Sequence, residues 1–155
     1  MEAPQRKHIA AQTVACMEHK GSYDEIGRVH QQLFGWAHQA RVRPAAPPFT
    51  RFLSPPDKLD WAAGHFEVCL PVPKGTAGAG AVRVKELPAT DVVSVVVQGP
   101  YSEMPAHYSE LLAWMSVEGE APAGPPREVY LVHPGPDGSG DPKTFRTEIQ
   151  FPVND

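Results

Sequence analysis

The chain has 155 residues, 41% of them hydrophobic and 21% charged, with a formal net charge of −4 at pH 7. A chain of this length buries a real core as one domain, and its acidic balance does not draw it to phosphate backbones, so no direct nucleic-acid binding is expected. No stretch approaches the roughly 18 apolar residues of a membrane span, and the polar start from Met1 to Lys7 has no apolar signal-peptide core behind it, so a cytoplasmic protein is expected.

The first expected strand lies within His8 to Glu18, where β-branched and small apolar residues precede Gly21. Gly21-Ser22-Tyr23-Asp24-Glu25-Ile26 then opens a helix, with Ser22 or Asp24 as the capping oxygen. Ile26, Val29, Leu33, Trp36 and Ala37 fall on one apolar stripe of that helix. The connector Pro44-Ala45-Ala46-Pro47-Pro48 leads to a strand from Phe49 to Leu53, a turn-rich loop at Ser54-Pro55-Pro56-Asp57, and a strand from Phe66 to Pro71. Lys74 to Ala81, rich in glycine, reads as a linker.

The same order then returns. Val92 to Val97 is the plainest strand of the chain. Gly99-Pro100-Tyr101-Ser102-Glu103-Met104 opens a second helix, with Ser102 as its capping candidate and Pro105 confined to the first turn. Met104, Tyr108, Leu111, Trp114 and Met115 form its stripe. Pro122-Ala123-Gly124-Pro125-Pro126, a strand from Arg127 to His133, a loop from Pro134 to Gly140 and a strand from Thr147 to Pro152 complete the copy.

The two copies are offset by 78 residues, growing to 81 in the last strand. Two copies are too few for a solenoid. They predict an α+β domain over 1–155, built from a strand-helix-strand-strand unit used twice about a pseudo-twofold axis: a first half over about 8–73, a linker over 74–81 and a second half over about 82–153. A ligand groove is expected at the seam, and departures from the symmetry mark the residues to watch.

G-x-Y-x-E at the helix starts, Pro125-Pro126-Arg127-Glu128-Val129-Tyr130-Leu131 on the following strand and Thr147-Glu148-Ile149-Gln150-Phe151-Pro152-Val153 at the end resemble the GyrI-like family. Its members share an effector-binding fold with the C-terminal domains of bacterial multidrug-sensing transcription regulators, and this chain resembles a stand-alone member. The resemblance implies one antiparallel sheet with two helices on one face and a ligand groove on the other. It further implies ligands that are bulky, apolar, aromatic and often cationic.

On that implied fold, strand alternation assigns faces. Val129 and Leu131, being apolar, suit the helix-covered face, which sends Glu128 and Tyr130 to the groove. The repeat places Thr50 and Phe52 at the equivalent positions. Phe66, Val68 and Leu70, and likewise Ile149 and Phe151, take the helix side, leaving Glu67, Cys69, Glu148 and Gln150 opposite. The sharpest break in symmetry is Thr50 becoming Glu128. The resemblance implies a cation-contacting glutamate at this position, and nearby aromatic faces would add roughly 0.5–2 kcal/mol each to holding a cation.

Other readings stay open for these residues. Glu128 also suits an exposed strand position, and Tyr130 and Phe52 also suit cross-strand packing. Trp61 is a stacking platform or packs under the Ser54–Leu59 loop. Tyr108 reads as a core-edge residue whose hydroxyl is in reach of Glu128, with His107 beside it as a further candidate contact. Glu67 and Glu148 rank below Glu128, because the repeat pairs them.

Two other functions compete with binding. Some stand-alone relatives hydrolyse cyclopropane-bearing genotoxins; here Glu128 would be the base and Tyr108 or Tyr130 the donor to the carbonyl oxygen. The family is named for a DNA gyrase inhibitor, so a protein partner such as gyrase or a transcription regulator is the other alternative. The seven histidines are scattered, with no HExxH, and no metal or cofactor is expected. Gly75 to Gly80 precedes a strand and lacks the context of a phosphate loop. Cys16 and Cys69, without ligand spacing, read as reduced packing residues.

Overall fold

The computed structural model describes residues 3–54, 64–135 and 139–154. Trp61, all but Ser54 of the Ser54–Leu59 loop and part of the Pro134–Gly140 loop lie outside the described residues. In chain order the elements are β1 (Gln5–Ile9), β2 (Gln12–Gly21), α1 (Ile26–Gln39), β3 (Phe49–Phe52), β4 (Gly64–Pro71), β5 (Arg83–Leu87), β6 (Thr90–Gln98), α2 (Met104–Val117), β7 (Arg127–Val132) and β8 (Arg146–Val153). This is the expected α+β class. Among the described residues, no helix is long and apolar enough to cross a membrane.

The chain forms two compact units, one of residues 10–89 and one of residues 1–9 with 90–155. Both carry a four-stranded antiparallel sheet, in the orders β3-β4-β2-β5 and β7-β8-β6-β1. The outer strands are exchanged in sequence. β1 stands two residues before β2 yet pairs with β6, and β5 stands two residues before β6 yet pairs with β2. The strand expected within His8 to Glu18 is therefore two strands that part at Ala10 and Ala11, and β5 follows the glycine-rich linker unannounced.

The G-x-Y-x-E motif explains both helix starts. Glu25 folds back so that its Oε1 accepts the Ser22 backbone N–H at 3.2 Å, while Ser22 Oγ accepts from Asp24 N, a reciprocal capping box. Glycine precedes this turn because a Cβ on Gly21 would stand 2.7 Å from Glu25 Oε1. In the second copy Gly99 has φ +129°, a conformation that requires glycine, and its Cβ would stand 2.8 Å from Glu103 Oε2. Ser102 makes no capping bond there; the start is built on Pro100, and Pro105 occupies the first turn of α2 as expected.

Each helix lays its stripe on its own sheet. In residues 10–89, Val29, Leu33 and Ala37 pack with Phe52, Phe66, Val68 and Leu70. In the other unit, Met104, Tyr108, Leu111 and Met115 pack with Val93, Val95, Ile149 and Phe151. Burying an aliphatic or aromatic side chain of this size contributes about 1.5–3 kcal/mol, so these stripes anchor the helices more firmly than propensity does.

One expectation is corrected here. Thr50, Phe52, Glu128 and Tyr130 do not face away from the helices. Their cross-strand partners are Val68, Phe66, Ile149 and Thr147, and Val68, Phe66 and Ile149 all lie in the helix-side cores. The apolar set on β7 turns the other way: Leu131 is 39% exposed, whereas Glu128 is 7% exposed. Polarity misassigned the faces because the α2 side offers Glu128 a hydrogen-bond donor, which offsets part of its desolvation.

Candidate ligand-binding site

β7 pairs with β8 at the margin of its four-stranded sheet and carries Glu128 and Tyr130 on the side of α2. Tyr108 lies a little more than one turn into α2, on the buried stripe between Met104 and Leu111. Its hydroxyl donates to Glu128 Oε2 at 2.6 Å, and the Tyr130 hydroxyl donates to Oε1 at 3.2 Å. Each carboxylate oxygen therefore holds one phenol. The G-x-Y tyrosine, Tyr101, meets Tyr130 edge-on with ring centroids 5.9 Å apart and stacks on Phe145 at 5.4 Å. Tyr108 stands perpendicular to Phe151 at 5.8 Å. An acid thus sits among aromatic rings.

Burial dominates the electrostatics. It raises the Glu128 pKa to about 7, against the opposing pull of the Tyr108 and Tyr130 hydroxyls. Burial, reinforced by the Glu128 charge, raises Tyr101 to about 12, so its phenol stays protonated. Among the described residues no lysine, arginine or histidine neutralises Glu128. This carboxylate has hydrogen bonds and, among the described residues, no counter-charge.

The other unit holds a version of the same arrangement with threonine in place of the carboxylate. His30 Nε2 and Thr50 Oγ1 lie 3.0 Å apart, 78 residues before Tyr108 and Glu128. Tyr23 meets Phe52 edge-on at 5.5 Å, as Tyr101 meets Tyr130. Thr50 and Phe52 belong to this copy and are buried within the core under α1. His107 lies 3.9 Å from Glu103, and its Nδ1 is buried without a hydrogen-bond partner; it does not touch Glu128. Tyr101 and Phe145 are the contacts that sequence reasoning missed. The repeat of Tyr23 at Tyr101 was their available signal, but it read as part of a helix start.

The opposite face of each sheet carries a second polar arrangement. Lys85 Nζ and Arg51 Nη1 meet Glu67 at 2.7 and 2.9 Å, and Lys7 Nζ meets Glu148 at 2.5 Å. Cys16, Glu67 and Cys69 bring donor atoms within 4.8 Å of one another. The two cations already bound to Glu67 argue against a metal there.

Solved structures share this fold. The EcmrR C-terminal domain matches with a TM-score of 0.80 at 22% identity, covering 98% of this chain and 97% of that one. EcmrR in its complex with DNA matches with a TM-score of 0.86 at 22% identity; this chain, covered over 98%, spans only 57% of that protein. A hydrolase from Listeria innocua matches with a TM-score of 0.74 at 18% identity, covering 97% of this chain and 91% of that one. SAV2435, solved bound to tetraphenylphosphonium, matches with a TM-score of 0.65 at 14% identity, covering 99% of this chain and 94% of that one. No curated protein matches the sequence. The family model for the GyrI-like small molecule binding domain spans residues 2–154, and the chain accordingly belongs to the GyrI-like family.

Proposed function

We propose that this domain binds bulky aromatic cations of varied shape, with Glu128 as their counter-charge. The observation that carries the reading is a buried carboxylate held by two phenols, whose rings pack on Tyr101 and Phe151, with no cation beside it among the described residues. A cationic ligand offsets the desolvation that raises Glu128, and each ring face it covers adds about 0.5–2 kcal/mol. Charge and size then govern selection while shape is left loose. Tetraphenylphosphonium, bound by SAV2435, is a cation of this class. The test is titration of a rhodamine-type dye and of tetraphenylphosphonium into wild type and Glu128→Gln. Saturable binding that weakens at least tenfold in the variant supports the reading, and equal binding by both proteins sinks it.

A second reading is favoured by the short Tyr108–Glu128 bond and a Glu128 pKa of about 7, which suits a general base near neutral pH. Glu128 would take a proton from water as the water oxygen bonds to a carbon of a cyclopropane conjugated to a carbonyl; the ring C–C bond breaks, its electron pair forms the enolate, and Glu128 returns the proton to the enolate carbon. Tyr130, at 3.2 Å the looser of the two donors, would turn to the developing oxyanion. Turnover of a cyclopropyl ketone that vanishes in Glu128→Gln would favour hydrolysis; tight dye binding without turnover would leave binding alone.

A further inference from the structure

Cys16 and Cys69 are directly opposed in the β2–β4 ladder. The Val72 N–H donates to Thr13 O at 3.0 Å, and hydrogen-bonded and non-hydrogen-bonded pairs alternate along an antiparallel ladder. That alternation puts Cys16 and Cys69 at a non-hydrogen-bonded pair, where Cα atoms are about 4.5 Å apart, within the range of about 4.4–6.8 Å that a disulfide spans. Both side chains lie on the sheet face opposite α1, and both thiols are free. From this register we propose that Cys16 and Cys69 are a redox pair that closes reversibly to a cross-strand disulfide when a hydroperoxide oxidises Cys16.

The surroundings set the order of events. Cys16 is 3% exposed and Cys69 is fully covered, so Cys16 is the sulfur that meets the oxidant. The neighbouring Cys69 lowers the Cys16 pKa, and Lys85 and Arg51 act in the same sense against burial and Glu67. Burial holds Cys69 well above the ordinary thiol value, so it keeps its proton. The Cys16 thiolate attacks one peroxide oxygen, the O–O bond breaks, and the other oxygen leaves as water or alcohol after taking a proton. Cys69 sulfur then attacks the sulfenic sulfur of Cys16. The S–S bond forms, the S–O bond breaks, and the sulfenic hydroxyl leaves as water with the Cys69 proton. Two thiols are oxidised and one peroxide is reduced.

The repeat gives a reason to treat the pair as more than packing. The other unit places Ser94 and Gln150 at the equivalent positions, both buried, with Gln150 Nε2 donating to Glu148 at 3.0 Å where Cys69 Sγ stands 3.5 Å from Glu67. The scaffold is thus built with polar residues here and does not require thiols. Serine at the Cys16 position is already accommodated in the duplicate.

The experiment is exposure of the full chain to stoichiometric hydrogen peroxide, alkylation of remaining thiols, intact mass and a non-reducing peptide map. The expected result is loss of two hydrogens, a single peptide joining Cys16 to Cys69, and full return of both thiols with dithiothreitol. In Cys69→Ser, dimedone should mark Cys16; in Cys16→Ser, Cys69 should stay reduced. Oxidation to sulfinic acid without a cross-link, no reaction of the wild type, or equal reaction of Cys69 in Cys16→Ser would overturn the proposal. The wild-type map decides the matter even if a variant folds poorly.

Discussion

Tyr108 and Glu128, 2.6 Å apart, tie α2 to β7 at the positions where His30 and Thr50, 3.0 Å apart, tie α1 to β3. Duplication has kept a polar tether from helix to strand in both units while changing its chemistry in one. The first unit pairs a histidine with a threonine, and no carboxylate takes part. A tyrosine–carboxylate pair satisfies the hydrogen bonds of Glu128 but leaves its charge exposed to the low dielectric around it. The asymmetry converts one of two equivalent structural ties into a charged site.

That charge should be visible in stability. Glu128 rises from an ordinary 4.5 to about 7 in the folded protein, so between these values the fold keeps a proton that the unfolded chain has lost. The stability associated with the protonated acid is fully present below about pH 4.5 and is lost as pH rises through about 7, a change of roughly 3 kcal/mol. Urea unfolding across this window should show wild type weakening with rising pH relative to Glu128→Gln. Parallel curves for the two proteins would mean that Glu128 is already neutralised.

Cation binding should follow the opposite course. Below about pH 7 Glu128 takes up its proton and the counter-charge disappears, so dye affinity should fall by up to about tenfold per pH unit. Tyr108→Phe removes the stronger phenol donor, which stabilises the carboxylate form. The midpoint of the affinity profile should therefore move to higher pH in this variant, with saturation retained at high pH. A loss of affinity that is the same at every pH would instead mean that Tyr108 only shapes the core.

Much of this architecture is legible in the sequence. The repeat announced itself because G-x-Y-x-E needs specific residues: glycine for room, glutamate for the backward cap. The helix stripes and the cores under them followed from the spacing of Val29, Leu33, Met104, Leu111 and their neighbours. The exchanged strands β1 and β5 were not legible. Their residues are mostly exposed, so they carry no clear apolar period, and each pairs with a strand of the opposite repeat. Alternation on β3 and β7 gave two sets of side chains without saying which set faced the helix. The hydroxyl of Tyr108, contributed from another element, decided that.

The helix ends offer a test of local strain. After α1, Arg41 adopts φ 57°, with Val42 N bonded to Ala37 O at 2.9 Å and Arg41 N to His38 O at 3.2 Å. After α2, Gly119 adopts φ 75°, with Glu120 N bonded to Met115 O at 2.8 Å and Gly119 N to Ser116 O at 3.3 Å. These are the same C-terminal motif, built once with the residue it prefers and once without. Arg41→Gly should stabilise the protein by about 0.5–1 kcal/mol, and Gly119→Ala should destabilise it by a similar amount. Thermal unfolding of the two variants checks both signs together.

Glu67, the acid on the other face, has the opposite electrostatic balance. Glu67 is 6% exposed, and burial alone would raise its pKa, but Lys85 and Arg51 outweigh burial and hold it below the ordinary carboxylate value. Its contribution to stability is therefore present above the unfolded pKa and disappears as pH falls through the folded one, opposite in sign to that of Glu128. Glu67→Gln strands the positive charge of a partly buried Arg51 and should cost about 1–3 kcal/mol near neutral pH, less than the fully buried case because Lys85 can turn to water. Lys85→Ala should cost less than about 1 kcal/mol, since its side chain is 41% exposed and solvent screens the pair. Acid titration separates the two carboxylates. Glu67→Gln should flatten the loss of stability on the acidic side while leaving the weakening toward pH 7 intact, and Glu128→Gln should do the reverse.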